Sequence, residues 1–165
     1  MQSENDYEEL DEKDRQILSI LQEDARIAFT KIASQMDTPD TTIHFRVRRM
    51  QEKGIIKKFT VLISPESLGL NQYAFFRLKV GGHILSDISK ERAQQIAEMQ
   101  QQRSEMRFVG IEEDEMTLLC LVLVHDIKEL EELRNSFEKN TDITEIQMWP
   151  LTKVLKGEDY TDQVL

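Results

Sequence analysis

Residues 38–58, TPDTTIHFRVRRMQEKGIIKK, constrain this chain more than any other stretch. Proline is tolerated in the first turn of a helix but not in its interior, and glycine favours the position just past a helix end. Pro39 and Gly54 therefore bracket one short helix, with Thr38 as its expected N-cap. Ile43, Val47 and Met50 recur at i, i+4 and i+7 and make one apolar stripe. The opposite face carries Thr41, Phe45, Arg48 and Arg49, flanked by Thr42, His44 and Arg46. From Thr41 to Lys58 six cations (Arg46, Arg48, Arg49, Lys53, Lys57 and Lys58) stand against one anion, Glu52, a local excess of +5 in a chain whose formal net charge is −10. A helix that packs by one face and shows threonine, aromatic and basic side chains on the other suits double-stranded DNA. Phosphates attract its cations, and base edges in the major groove take the remaining contacts.

The acidity of the remainder does not oppose this reading. Charges are screened beyond roughly 8–10 Å at physiological salt, so a basic patch acts locally while acidic regions repel misoriented DNA. A length of 165 residues fits one or two small domains. No apolar run approaches the roughly 20 residues that span a bilayer. The acidic start, MQSENDYEEL, reads as neither a signal nor a transit peptide. The single cysteine, Cys120, cannot form an internal disulfide, which fits a reducing cytoplasm.

Residues 1–9 are expected to be disordered or frayed. A helix is expected from Asp11, with Asp11 and Asp14 suiting its N-terminus and Ile17, Leu18 and Leu21 facing inward. A shorter helix from Thr30 turns Ile32, Ala33 and Met36 inward, and Asp37-Thr38-Pro39 makes the turn into the basic helix. Three helices, the last two joined by a tight turn, read as helix-turn-helix. The plainer reading is a three-helix core whose arginine-rich face is merely solvated.

After Gly54 the pattern changes. IIKKFTVLI, residues 55–63, is β-branched and partly alternating and reads as a strand. Ser64-Pro65 breaks it, and residues 65–71 read as a linker turning at Gly69. Next come a strand at 72–80, a helix at 86–102 with Ile88, Ala93, Ile96 and either Met99 or Ala97 inward, and a short strand at 106–110. An acidic connection at 111–115 leads to an apolar strand at 116–124. A helix at 127–140 carries Leu130, Leu133 and Phe137 on one stripe, and a strand at 143–155 bends at Pro150. The order βαββαβ is that of the ferredoxin-like plait, so the fold class is α+β. Two helices cover one face of such a sheet, yet Leu118 to Val124 is apolar at every position, and Phe75-Phe76 repeats the hint. A second copy packed sheet to sheet would cover the other face; the linker strand or the N-terminal domain are the alternatives.

Leu10-Asp11, Asp14, Ile17-Leu18, Leu21, Asp24-Ala25-Arg26, Ile32-Ala33, Thr42, Arg46-Val47, Arg49-Met50 and Gly54-Ile55-Ile56 together resemble the Lrp/AsnC family of bacterial and archaeal transcription regulators. Ser64-Pro65 and Leu68-Gly69 fit the family's hinge. The match is close over residues 10–70 and mainly topological beyond them. It implies a winged-helix-like or plain helix-turn-helix domain at 10–58, a linker strand and hinge at 59–71, a ferredoxin-like effector and dimerisation domain at 72–155, and a tail at 156–165. It also implies homodimers that assemble into tetramers, octamers or larger rings, and an amino-acid effector. Pro39 stands where relatives often carry serine. The segment Gly110-Ile111-Glu112-Glu113-Asp114-Glu115-Met116-Thr117 departs from the family's glycine-acid-aromatic-aspartate signature, being richer in acids and lacking the aromatic. Gly110, Glu112 and Asp114 are the candidate effector contacts, although an anionic loop repels a ligand carboxylate unless a cation offsets it.

For base reading the candidates are Thr41, Thr42, Phe45 and Arg46. Arginine pairs bidentately with guanine, and a threonine methyl or a phenyl ring packs on a thymine methyl. Arg48, Arg49, Lys57 and Lys58 are cast as phosphate contacts, and His44 as a phosphate contact or a bystander. The histidines His83 and His125 and the thiol of Cys120 lack the short spacings of a metal site, and no cofactor motif is present. Cys120, in the most apolar strand, reads as a small core residue, and Trp149 as a core or interface residue. The acids at 112–115 read as a solvated turn, not a calcium loop. No phosphate loop or activated nucleophile is recognisable, so a non-enzyme is expected. The rival functions are a low-specificity architectural DNA-binding protein, and a small-molecule sensor or plait enzyme with an incidental basic helix.

Overall fold

The computed structural model describes residues 10–157. The expected disorder at 1–9 and most of the tail at 156–165 lie outside them. The chain forms two compact units that divide between Val61 and Leu62.

The first unit has three helices: α1 (Glu12–Glu23), α2 (Phe29–Gln35) and α3 (Asp40–Glu52). Asp11 caps α1 through a capping box. Its carboxylate accepts from the Asp14 backbone N–H at 2.8 Å, while Asp14 accepts from the Asp11 backbone N–H. The apolar stripes of the helices meet in a core of Ile17, Leu21, Ile32, Ala33, Ile43, Val47 and Met50. Met36, expected inward, is half-buried against that core.

Two expectations fail here. Thr38 is not the N-cap of α3. Pro39 holds that position with no side-chain bond, while the buried Thr38 hydroxyl donates to the Met36 carbonyl at 3.0 Å and accepts from Lys13 Nζ at 3.3 Å. The turn closes through Asp37, whose φ of 44° is a left-handed conformation that aspartate tolerates. The second failure is the linker strand. Residues 57–64 take no regular structure. A strand needs a ladder partner, and none is supplied among the described residues, so β-branched sequence alone does not make one here. Among the described residues the first unit therefore shows three helices and no wing strand.

In the second unit Pro65–Leu68 makes a 3-10 turn that Gly69 ends at φ 78°. The elements β1 (Gln72–Val80), α4 (Ser86–Gln100), β2 (Met106–Ile111), β3 (Thr117–Val124), α5 (Ile127–Glu138) and β4 (Ile143–Leu151) follow. All strand pairs are antiparallel, in the order β2-β3-β1-β4. Both helices pack on one face, over Ala74, Phe76, Leu78, Val80, Leu118, Cys120, Val122 and Val124. Phe76 meets Phe137 edge-on at 5.3 Å. Burial pushes the Cys120 thiol up to about 12, as expected of an inert core residue. On α4 the inward positions include Ser89, Ala93, Ile96 and Ala97, whereas Ile88 and Met99 are exposed. The sheet edges are irregular. Pro150 lies in the edge strand β4 opposite Ala74, and the β2–β3 register shifts between Met106 and Phe108.

The sheet face away from the helices carries a row across all four strands. Phe108 is opposite Leu121, Leu121 opposite Phe75, and Phe75 opposite Trp149. Phe108 and Trp149 are 38% and 45% exposed. Tyr73, Leu119 and Leu151, all half-buried, extend this apolar area, whereas Leu121 and Leu123 on the same face are already buried.

Candidate nucleic-acid interface

Helix α3 is built from three stripes. The innermost is Ile43, Val47 and Met50, at 0%, 2% and 0% exposure. The outermost is Thr41, His44, Phe45 and Arg48, all exposed, with Phe45 at 67%. His44 leans back, its ring edge-on to Phe29 at 4.8 Å and its Nε2 3.7 Å from Asp40. The Arg48 side chain is exposed, and its Nε donates to Glu52 at 2.8 Å. Thr42 is half-buried on the flank. Lys57 and Lys58 follow in the irregular segment beyond α3, both exposed.

The third stripe faces α1. Arg46, a candidate base reader, and Arg49, a candidate phosphate contact, both turn toward it. Arg46 Nη1 donates to Asp14 at 2.8 Å and to Asp11 at 2.7 Å, and Arg49 Nη2 donates to Asp14 at 2.6 Å. The Asp14 side chain is wholly buried. Its buried carboxylate is met by two guanidinium groups, which offset the charge that burial would otherwise penalise. The Arg46 guanidinium is held above its ordinary value, first by Asp14 and then by Asp11. Asp11 is held below the usual carboxylate range by the Asp14 backbone N–H and by Arg46. The basic excess read from residues 41–58 is therefore partly neutralised by acids brought from α1.

The candidate effector residues lie at the β2–β3 hairpin. Glu112 is gripped in a two-bond pair by Arg77, at 2.6 and 2.8 Å, which lowers its carboxyl. Asp114 accepts from the Thr117 hydroxyl at 2.6 Å and from the backbone of Met116 and Thr117, and is lowered by these bonds. Lys79 stands 3.7 Å from Asp114. Glu112 and Asp114 thus share one hairpin and already hold cations. Gly110 differs, since a Cβ there would come within 2.8 Å of the Phe108 ring, so its bare backbone seats that ring.

A family model of the AsnC-type helix-turn-helix domain matches residues 10–51. An uncharacterised HTH-type transcriptional regulator of Pyrococcus furiosus is 30% identical over 153 residues, covering 92% of this chain and 93% of its own. The chain belongs to the Lrp/AsnC family. The solved structure of a P. furiosus AsnC-family transcriptional regulatory protein superposes with a TM-score of 0.81 at 29% identity, over 94% of this chain and 98% of that one. Escherichia coli AsnC shares the fold, with a TM-score of 0.78 at 23% identity over 90% and 96% of the two chains. So does a Neisseria meningitidis transcriptional regulator solved as an L-Met complex, at 0.74 and 18% over 95% and 96%.

As a family member the chain is a transcriptional regulator with a helix-turn-helix DNA-binding domain, and its relatives are regulators, not enzymes. Among the described residues no helix is long and apolar enough to cross a membrane, and no three His, Cys, Asp or Glu side chains are placed to hold a metal. The residues that sequence reasoning missed are Asp11 and Asp14. They were read as helix-start residues, which they are, and that role hid their second one. The available signal was Arg46 and Arg49 at i, i+3 on a helix that must cross α1.

Proposed function

We propose that this regulator binds double-stranded DNA sequence-specifically, as a homodimer, through the outermost stripe of α3. The observation that carries the reading is that stripe: Thr41, His44, Phe45 and Arg48, exposed on the helix following the turn, with Lys57 and Lys58 beyond it. Thr41 and Phe45 offer a methyl and a ring to thymine methyls, Thr42 a flanking hydroxyl, and Arg48, Lys57 and Lys58 charge to phosphates. His44 contributes a phosphate contact. Arg46, a candidate reader, and Arg49, a candidate phosphate contact, become supports.

The uncovered apolar sheet face supports the dimer. Phe108, Leu121, Phe75 and Trp149 lie in one row with no helix over them among the described residues, and a two-fold related copy packing sheet to sheet would remove the exposed Phe108 and Trp149 from water. Two recognition helices then address half-sites about 34 Å apart on one side of the duplex. Tetramers or octamers are the larger assemblies that family membership suggests. An amino-acid effector has support from the L-Met complex of the Neisseria relative. On this chain its carboxylate would have to displace Glu112 from Arg77. The cytoplasm is the compartment such a regulator works in.

Selection from a random duplex pool, followed by mobility shifts at fixed salt, tests the reading. A palindromic consensus, bound at least a hundredfold more tightly than scrambled duplex, is expected. Equal affinity for both would favour the architectural alternative, and no binding at low salt would remove DNA from the account. Sedimentation at micromolar concentration should give a dimer.

A further inference from the structure

We infer that Asp14 is a positioning residue for DNA recognition: its buried carboxylate grips α3 at two points one turn apart and sets the rotation of the reading stripe about the helix axis. The inference rests on the sequence-specific reading above and assigns a part of that function to a side chain that cannot reach DNA.

The apolar stripe of α3 fixes how deeply the helix sits, because Ile43, Val47 and Met50 are buried in the core. It fixes rotation poorly, since aliphatic packing is non-directional. Rotation is fixed by directional bonds off the helix axis, and two guanidinium groups provide them. Arg46 and Arg49 are separated by about 4.5 Å along the axis at 1.5 Å rise per residue, and both end on the same carboxylate. One bond would leave a pivot; two define an angle. Asp11 adds a second acceptor for Arg46. The carboxylate itself is anchored at the capped first turn of α1, where its neighbour Asp11 is the cap. The chain of support therefore runs from a rigid helix start, through a buried charge, to the far helix. A roll of about 20° moves side-chain tips at a radius of about 6 Å by about 2 Å. That displacement exceeds the roughly 0.5 Å tolerance of a recognition site.

The two arginines have a second consequence. While held, they are withdrawn from phosphate. Asp14 thus suppresses sequence-independent attraction while it aligns the stripe, so it acts on both terms of the specificity ratio. Arg49 depends on it more heavily, because Arg46 keeps Asp11 as well.

The test uses the full chain, a duplex selected by the wild type, and a scrambled duplex of equal length. In Asp14→Asn one amide oxygen remains to accept, but the amide NH2 faces a guanidinium as a second donor, so at most one arginine stays. The expected result is opposite movement: affinity for the selected duplex falls at least tenfold, while affinity for the scrambled duplex rises. The salt slope on scrambled DNA should steepen by up to about 0.9 for each phosphate gained. A merely structural role would lower both affinities together. Adding Arg49→Gln to Asp14→Asn should remove the gain on scrambled DNA without restoring selectivity. Asp11→Asn, at a half-exposed side chain, is the milder variant and decides the matter if Asp14→Asn does not fold; a threefold loss of selectivity is expected of it. If the wild type discriminates and the folded variants discriminate equally well, the positioning role is overturned alone. If the wild type does not discriminate, the sequence-specific reading falls and takes this inference with it.

Discussion

The helical unit and the sheet unit use charge in opposite places. The helical unit surrounds a buried carboxylate with a core of seven apolar side chains among the described residues. The sheet unit buries fourteen between its sheet and its helices, and its ion pairs, such as Arg77 with Glu112 and Arg134 with Glu138, all keep part of their side chains exposed. A small core is short of directional constraints, and an ion pair supplies them at a cost in desolvation. A large core needs no such help. Its surplus is instead an apolar face that one subunit leaves uncovered. On the readings proposed above, alignment belongs to the first unit and assembly to the second.

The largest effect should come from Phe76→Ala. It empties a site in the sheet core against Phe137 and should cost about 3–5 kcal/mol, read by chemical denaturation as loss of the sheet transition with the helical unit retained. Asp14→Ala should cost about 3 kcal/mol in the helical unit by leaving two guanidinium groups without their shared carboxylate, and thermal melts should show that unit unfolding first. Similar losses in both units from either change would mean that the two fold as one. Trp149→Glu should weaken self-association by about 2 kcal/mol while leaving the subunit folded, which sedimentation across a concentration series would detect. Arg48→Ala should weaken binding to all duplexes by about 1 kcal/mol and lower the salt slope by about 0.9, because its exposed guanidinium is cast as a phosphate contact.

The smallest effect is acid sensitivity. Asp11, Glu112 and Asp114 are all held below the usual carboxylate range in the folded chain. A carboxyl with a lowered folded pKa binds fewer protons when folded than when unfolded. Its stabilising share is therefore present above the unfolded value, about pH 4, and is lost as pH falls through the folded value. Denaturation midpoints should hold from pH 7 to pH 5 and drop toward pH 3, in both units.

Periodicity made the architecture legible. The stripe of Ile43, Val47 and Met50, the plait order and the two-sided apolarity of β3 all follow from spacing, because burial is what spacing encodes. The side chains that decide the interface were less legible. Arg46 falls only about 70° from the centre of the apolar stripe at 100° per residue, a flank where solvent and a neighbouring helix compete. Helix α3 alone does not say which wins; the answer lies 32 residues away, in Asp14. The segment around Phe59 and Val61 failed for the converse reason. Its composition favours a strand, but pairing is a property of two segments, and among the described residues no second segment pairs with it. Thr38 was misplaced because a hydroxyl that caps a helix and one that closes a turn look alike in sequence.

Pro150 has a consequence for how copies of this chain can add to one another. It sits in an outer strand and offers no N–H for lateral bonding, and at the opposite margin the β2 register slips near Phe108. Growth of the sheet sideways, the geometry of open-ended fibres, is discouraged at both margins. Stacking through the broad apolar face, by contrast, would be used up once two bodies meet there.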